Sequence, residues 1–167
     1  MDNITTGYLN RAEIWLFVTT LIYFMMNGAQ VFETLIFVPK WTGNAPAHFN
    51  LLLDGRGTSL KNFWIVFHSL HELTFLLAII FCWKISFARN WLLLLFAVHF
   101  AVRVWTIGYF APNIMDFQKM ATAPVAVKDL AARVARWQTL NYFRVAIFIA
   151  VSFGLIPLCY KILQLRP

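Results

Sequence analysis

Four long apolar segments fill most of this 167-residue chain, and their length narrows the available folds more than any other feature. A helix needs about 20 mainly apolar residues to cross the hydrocarbon of a bilayer. Residues 14–38, 63–83, 91–111 and 140–160 each meet that requirement. Lipid offers the backbone no hydrogen-bond partner, so spans of this kind are helices. The connection at residues 84–90 is short and forces antiparallel neighbours. The expected fold class is all-α: an integral-membrane, antiparallel four-helix bundle that forms one domain over residues 1–167, with no repeat or long linker. The first segment is too long for the apolar core of a signal peptide, and no small-residue cleavage site follows it.

Composition agrees. Charged residues make up 13% of the chain, against about 25% in soluble domains. Seventeen Phe and seven Trp suit lipid-facing and interfacial positions. A net charge of +7 would point to nucleic acid in a soluble chain, but here Lys and Arg are scattered through loops and helix ends. Nucleic acid is therefore not an expected partner; membrane lipids and a lipophilic small molecule are. An even number of spans places both termini on one side. Arg11, Lys84, Arg89, Lys161 and Arg166 crowd the short segments of that side, while Lys40, Arg56, Lys61, Lys119, Lys128, Arg133 and Arg136 occupy two longer loops. Charge density next to the membrane favours cytoplasmic termini. Cys82 and Cys159 lie at the terminus-side helix ends and are expected to be thiols that serve as small packing residues.

The first long loop contains two turn clusters, residues 40–46 and 54–57, which flank an apolar stretch at 47–53. That stretch reads either as a lid on the bundle mouth or as a loop resting on headgroups, and His48 within it has no evident partner. In the third loop Thr122 reads as an N-cap before Pro124, with a helix over 124–137 running toward the fourth span. Pro157 should kink that span or begin its end.

Polar residues within the spans carry the functional signal, because charge in a bilayer core is expensive and usually faces the bundle interior. Asn27, Gln30 and Glu33 fall late in the first span; His68, His71 and Glu72 fall early in the second. His99 and Arg103 lie in the third, and Asn141 and Arg144 early in the fourth. Given alternating helix direction, all belong to one layer toward the long loops. Spacings of three and four put each set on one helical stripe. Such stripes build the cofactor and metal sites of bundles.

Three readings of this layer stay open. Glu33 and Glu72 could neutralise Arg103 and Arg144 while the His, Asn and Gln side chains bridge helices. His68, His71, Glu72 and His99 could hold iron, copper or zinc, although Glu-x-x-His is absent and two arginines oppose a cation. Alternatively, Arg103 and Arg144 could hold an anionic or enolate-like group while His68 or His99 removes a proton. A bis-histidine haem across the second and third spans is a further form of the metal reading, and coloured protein would reveal it. No Gly-rich nucleotide loop, Walker motif, C-x-x-C-H haem attachment site or lipidation signal is present.

The C-terminal half carries a further pattern. Arg103 is followed by Tyr109-Phe110-Ala111-Pro112-Asn113, and then by Arg136-Trp137 with Asn141 and Arg144. Gly28 and Pro39 form a Gly…Pro pair around the end of the first span. These residues resemble the anthrone-oxygenase-like family of four-span membrane proteins. The resemblance implies oxygenation of a polycyclic phenolic ketone without metal or flavin, the substrate anion reacting with dioxygen. It would make Arg103, Asn113, Trp137, Asn141 and Arg144 pocket residues. The histidine-bearing second span has no counterpart in that pattern.

The expected function is thus an oxygenase-type membrane oxidoreductase acting on a lipophilic aromatic or polycyclic substrate. Its catalytic residues would be His68, His99, Arg103 and Arg144. Gln30, Glu33, Glu72, Asn113, Trp137 and Asn141 would bind substrate. The alternative is a non-catalytic metal-, haem- or small-molecule-binding subunit or transport component. The sequence leaves a homo-oligomer open.

Overall fold

Proline sets the helix boundaries in the computed structural model, which describes residues 5–53, 60–123 and 128–165. The helices are α1 (Thr6–Phe32), α2 (Val38–Thr42), α3 (Lys61–Phe81), α4 (Ser86–Trp105), α5 (Ala111–Thr122) and α6 (Leu130–Leu163). Between α1 and α2, and again between α4 and α5, lies a five-residue π-helical segment, Glu33–Phe37 and Thr106–Phe110. Each is followed by a proline two residues on, Pro39 and Pro112. Proline has no N–H to continue the ladder, and its ring clashes with the carbonyl four residues back. The chain widens its ladder locally instead of stopping: the Val38 N–H bonds the Glu33 carbonyl, and the Ala111 N–H bonds that of Thr106.

Four continuous helical stretches result: Thr6–Thr42, Lys61–Phe81, Ser86–Thr122 and Leu130–Leu163. All four are long and apolar enough to cross a membrane. No strand occurs among the described residues, and the fold is an all-α four-helix bundle.

Several sequence-based boundaries move. The connection after α3 is shorter than expected, because residues 86–90 already belong to α4. The third stretch does not end at Ala111 but runs to Thr122, since Pro112 sits in the first turn of α5, where its missing N–H costs little. Thr122 is the last residue of α5, and its hydroxyl bonds the Lys119 carbonyl. The fourth stretch begins ten residues ahead of its hydropathic start and passes through Pro157 to Leu163 without ending. The turn expected at residues 54–57 and the helix start expected at Pro124 lie outside the described residues.

The chain contains two compact units. The first comprises Met1–Asn27, Ile65–Phe100 and Phe148–Pro167; the second comprises Gly28–Trp64 and Ala101–Ile147. In the first, α1 buries Ala12, Leu16, Thr19, Tyr23 and Met26, a strict alternation of four and three. Ile85, just ahead of α4, begins a similar alternation that α4 continues with Ala88, Leu92, Leu95 and His99. A 3.5-residue repeat is the signature of knobs-into-holes packing. Hydrogen bonds reinforce the seam. The Thr19 hydroxyl lies 2.7 Å from the Thr74 carbonyl, and the Asn27 amide donates to the Phe148 carbonyl at 3.0 Å and to Ser152. The Trp91 indole donates to the Gly154 carbonyl at 2.8 Å.

The second unit is organised around aromatic rings. Trp41, Phe49, Phe110, Phe117 and Trp137 are buried with Val38, Leu52 and Val134. Phe49 stacks on Phe117 at 5.0 Å, and Trp41 meets Trp137 at 5.0 Å. The first loop is thereby tied to α5, and the Gln118 amide donates to the Leu52 carbonyl at 2.7 Å. Within the apolar stretch at 47–53, Phe49 and Leu52 are buried in this core, while Ala47, His48 and Asn50 are exposed. His48 does have partners: its Nδ1 lies 2.9 Å from the Lys40 carbonyl, and Nε2 lies 3.4 Å from the Asn44 amide.

Gly154 of α6 packs against Leu95 of α4. A Cβ at this position would come within 2.8 Å of Leu95 Cδ2. Leu95 can swing its methyl aside for alanine but not for a branched side chain. Gly154→Ala should be nearly silent, and Gly154→Leu should lower stability by about 1–3 kcal/mol. Thermal unfolding in detergent micelles measures the difference; a Gly154→Leu protein as stable as the parent would refute this packing.

Candidate functional site

Within the first unit, helical periodicity brings five polar side chains from three helices together. α3 carries His68, His71 and Glu72 at spacings of three and one, α4 carries His99, and α1 carries Tyr23. His99 is the centre. Its Nδ1 lies 3.1 Å from the Tyr23 hydroxyl and 3.4 Å from His71 Nε2. Its Nε2 lies 3.8 Å from a Glu72 carboxylate oxygen. His68 packs behind, its ring 5.6 Å from that of His71. Phe75, Phe96 and Phe148 stand around His99 at ring distances of 6.3, 6.1 and 5.4 Å. His99 is thus enclosed by rings, and burial of this kind strengthens the electrostatic contacts it makes.

Donor chemistry orders this chain. With the His99 proton on Nε2, that N–H would face the Glu72 carboxylate 3.8 Å away. Nδ1 is then the acceptor, and the Tyr23 phenol can donate to it. The arrangement reads phenol to imidazole to carboxylate, with His71 beside the phenol.

The same geometry argues against a shared metal. His71 meets one edge of the His99 ring and Glu72 meets the other, so the two cannot join His99 around a single ion. Among the described residues no group of three or more His, Cys, Asp and Glu side chains is placed to hold a metal ion. Nor is there a porphyrin's width between the His71 and His99 rings, which touch edge to face at 4.5 Å. Cys82 and Cys159 are free, buried thiols in this unit, and Cys159 lies 3.4 Å from the Thr20 hydroxyl.

The second unit holds the other candidates. Glu33 opens the first π segment, accepts a hydrogen bond from the Trp64 side chain and faces the charge of Arg144. Arg144 donates to Asn141 Oδ1 at 2.6 Å, and the Asn141 amide donates to the Thr34 hydroxyl at 3.0 Å. The Arg144 guanidinium also lies 4.4 Å from the centre of the Phe110 ring, a cation–π contact. Arg103 is near enough for its charge to oppose that of Arg144. Two buried polar atoms here, Gln30 Oε1 and Arg144 Nε, have no hydrogen-bond partner among the described residues.

Asn113 and Trp137, implied as pocket residues by the family resemblance, are engaged in holding α5 and α6. Asn113 Oδ1 accepts from Arg133 at 2.7 Å, and its amide donates to the Tyr109 carbonyl at 2.7 Å. Arg133 also reaches Asp116 at 2.8 Å and lies over the Phe117 ring. The Trp137 indole points to the Phe110 carbonyl at 3.4 Å.

Sequence reasoning missed Tyr23, Thr34, Trp64 and Arg133. For Tyr23 a signal existed: it continues the Ala12, Leu16, Thr19 alternation, on which a residue faces other helices rather than lipid.

Removing Arg144 would take away the hydrogen bond to Asn141, the contact with Phe110 and the opposite charge near Glu33. Arg144→Ala should therefore cost about 1–3 kcal/mol. Arg144→Lys should cost less, because it keeps the charge and loses only the planar fork. Combining Glu33→Gln with Arg144→Gln should recover much of the loss. Unfolding midpoints of the three variants test this, and an Arg144→Ala protein with parental stability would remove the pairing. No protein-family model, curated protein or solved structure matches the chain.

Proposed function

We propose that this chain is a multi-pass membrane oxidoreductase of the oxygenase type, acting on a lipophilic aromatic or polycyclic phenolic ketone. The observation that carries the reading is His99 held between Tyr23 and Glu72 in a shell of aromatic rings. A carboxylate–imidazole–phenol chain whose imidazole and phenol are buried is suited to proton transfer, and general acid–base groups contribute about 10²–10⁴-fold to a rate. The Glu72–His99 pair takes a proton from the carbon beside the substrate carbonyl. The resulting anion then reacts with dioxygen: the CH2 carbon becomes a carbonyl, one oxygen atom enters the product and the other leaves as water. Exposed Phe, Leu and Ile side chains along α1, α3, α4 and α6 suit a substrate that arrives through lipid. Both termini lie on the cytoplasmic side in this reading.

In the second unit, the charge of Arg144 is matched by Glu33, and Asn141 and Thr34 tie their helices together. That set fits the stabilising role better than a direct part in chemistry.

The test is turnover of a tricyclic phenolic ketone by purified protein in lipid nanodiscs under dioxygen. The parent should form the oxygenated product, and Glu72→Gln or His99→Ala should lower kcat by about 10²–10⁴-fold. Product formation that both variants leave unchanged would remove the assignment. Saturable binding of the ketone without turnover would identify a carrier instead.

A further inference from the structure

His99 is closed off from any incoming molecule. Tyr23 and His71 occupy its Nδ1 edge at 3.1 and 3.4 Å, and three phenylalanine rings flank it. The Nε2 edge leads to Glu72, 3.8 Å away, and there burial changes abruptly: the His99 side chain is 1% exposed and that of Glu72 is 39% exposed. A lipophilic molecule can therefore reach the carboxylate but not the imidazole. Tyr23 is fully buried and has no such access either.

We propose that Glu72 is the group that exchanges protons with an occupant of the apolar layer, and that His99 and Tyr23 are positioning residues behind it. The inference rests on the reading that the Glu72–His99 pair moves a proton, but not on oxygenation of the substrate. In the step itself, the substrate X–H bond breaks and an O–H bond forms on Glu72. The electron pair stays on the substrate. The imidazole keeps its own proton throughout. The Tyr23 phenol fixes the tautomer by occupying Nδ1, which leaves the Nε2 proton aimed at the carboxylate.

Dicyclohexylcarbodiimide, an apolar reagent that adds to protonated carboxyl groups, reports on this carboxylate without any substrate. Treatment of the full-length protein in nanodiscs, followed by peptide mass spectrometry, should place the adduct on Glu72. The label should be lost in Glu72→Gln and absent from Glu33. An adduct on Glu33 in place of Glu72, or on neither residue, overturns the proposal.

Nitrogen NMR of histidine-labelled protein supplies a second readout, beginning with the parent. It should show His99 with the proton on Nε2. In Tyr23→Phe both ring-nitrogen signals should shift toward the average of the two tautomers. A parent proton on Nδ1, or signals unmoved by Tyr23→Phe, removes the positioning role. Label on Glu72 without turnover of the phenolic ketone would leave this assignment standing and sink the oxygenase reading. Turnover with no label on Glu72 would do the reverse.

Discussion

A side chain in hydrocarbon has only the protein to bond to, and the polar architecture of this chain follows from that constraint. Thr19 reaches the backbone of α3, Asn27 reaches α6, and Trp91 reaches the carbonyl of Gly154. These contacts fix helix rotation where apolar packing would be nearly indifferent, since lipid tails compete with Leu and Phe for the same surfaces. Small residues complete the arrangement: Ala12 and Ala88 are fully buried, and Gly154 lies beneath Leu95. Polar bonds choose the faces and small residues let them meet.

The two π segments show how the chain keeps its prolines without losing its helices. Pro39 and Pro112 would each be expected to terminate a span, but a local i→i−5 ladder absorbs the missing donor. The first π segment begins with Glu33 and Thr34, and the second ends with Phe110, the ring beneath Arg144. The irregular backbone thus coincides with the residues that pair charge in the second unit. π-Bulges often occur where side chains are aimed for a purpose rather than merely packed.

Hydropathy was sufficient to reveal four spans and an all-α fold, because about 20 apolar residues in a row permit little else. Helix ends were less legible. Thr122 carries a capping residue's chemistry yet closes α5, and Pro112 reads as a stop yet opens the same helix. The histidine stripe of α3 was visible from its three- and four-residue spacing, as were His99 and Arg144 on their own helices. What spacing could not supply was access. His99 and Glu72 look equally available in the sequence, whereas in the fold one is enclosed and the other reaches the surface. Tyr23 was hidden for a different reason. In a chain with seventeen Phe and seven Trp, one more aromatic residue in a span reads as lipid contact unless its phase with Thr19 is noticed. Asn113 shows the converse, a polar residue whose carbonyl is spent on Arg133 of α6 and whose amide is spent on the Tyr109 carbonyl one turn back.

The indoles of Trp41 and Trp137, buried face to edge at 5.0 Å, give the molecule an optical property. Two chromophores so close and so rigidly oriented couple their transitions, producing an exciton signature in near-ultraviolet circular dichroism that isolated tryptophans lack. One indole belongs to α2 and the other to α6, so the signal reports their packing directly. The second unit therefore carries its own spectroscopic label, placed where an added fluorophore would disturb the core.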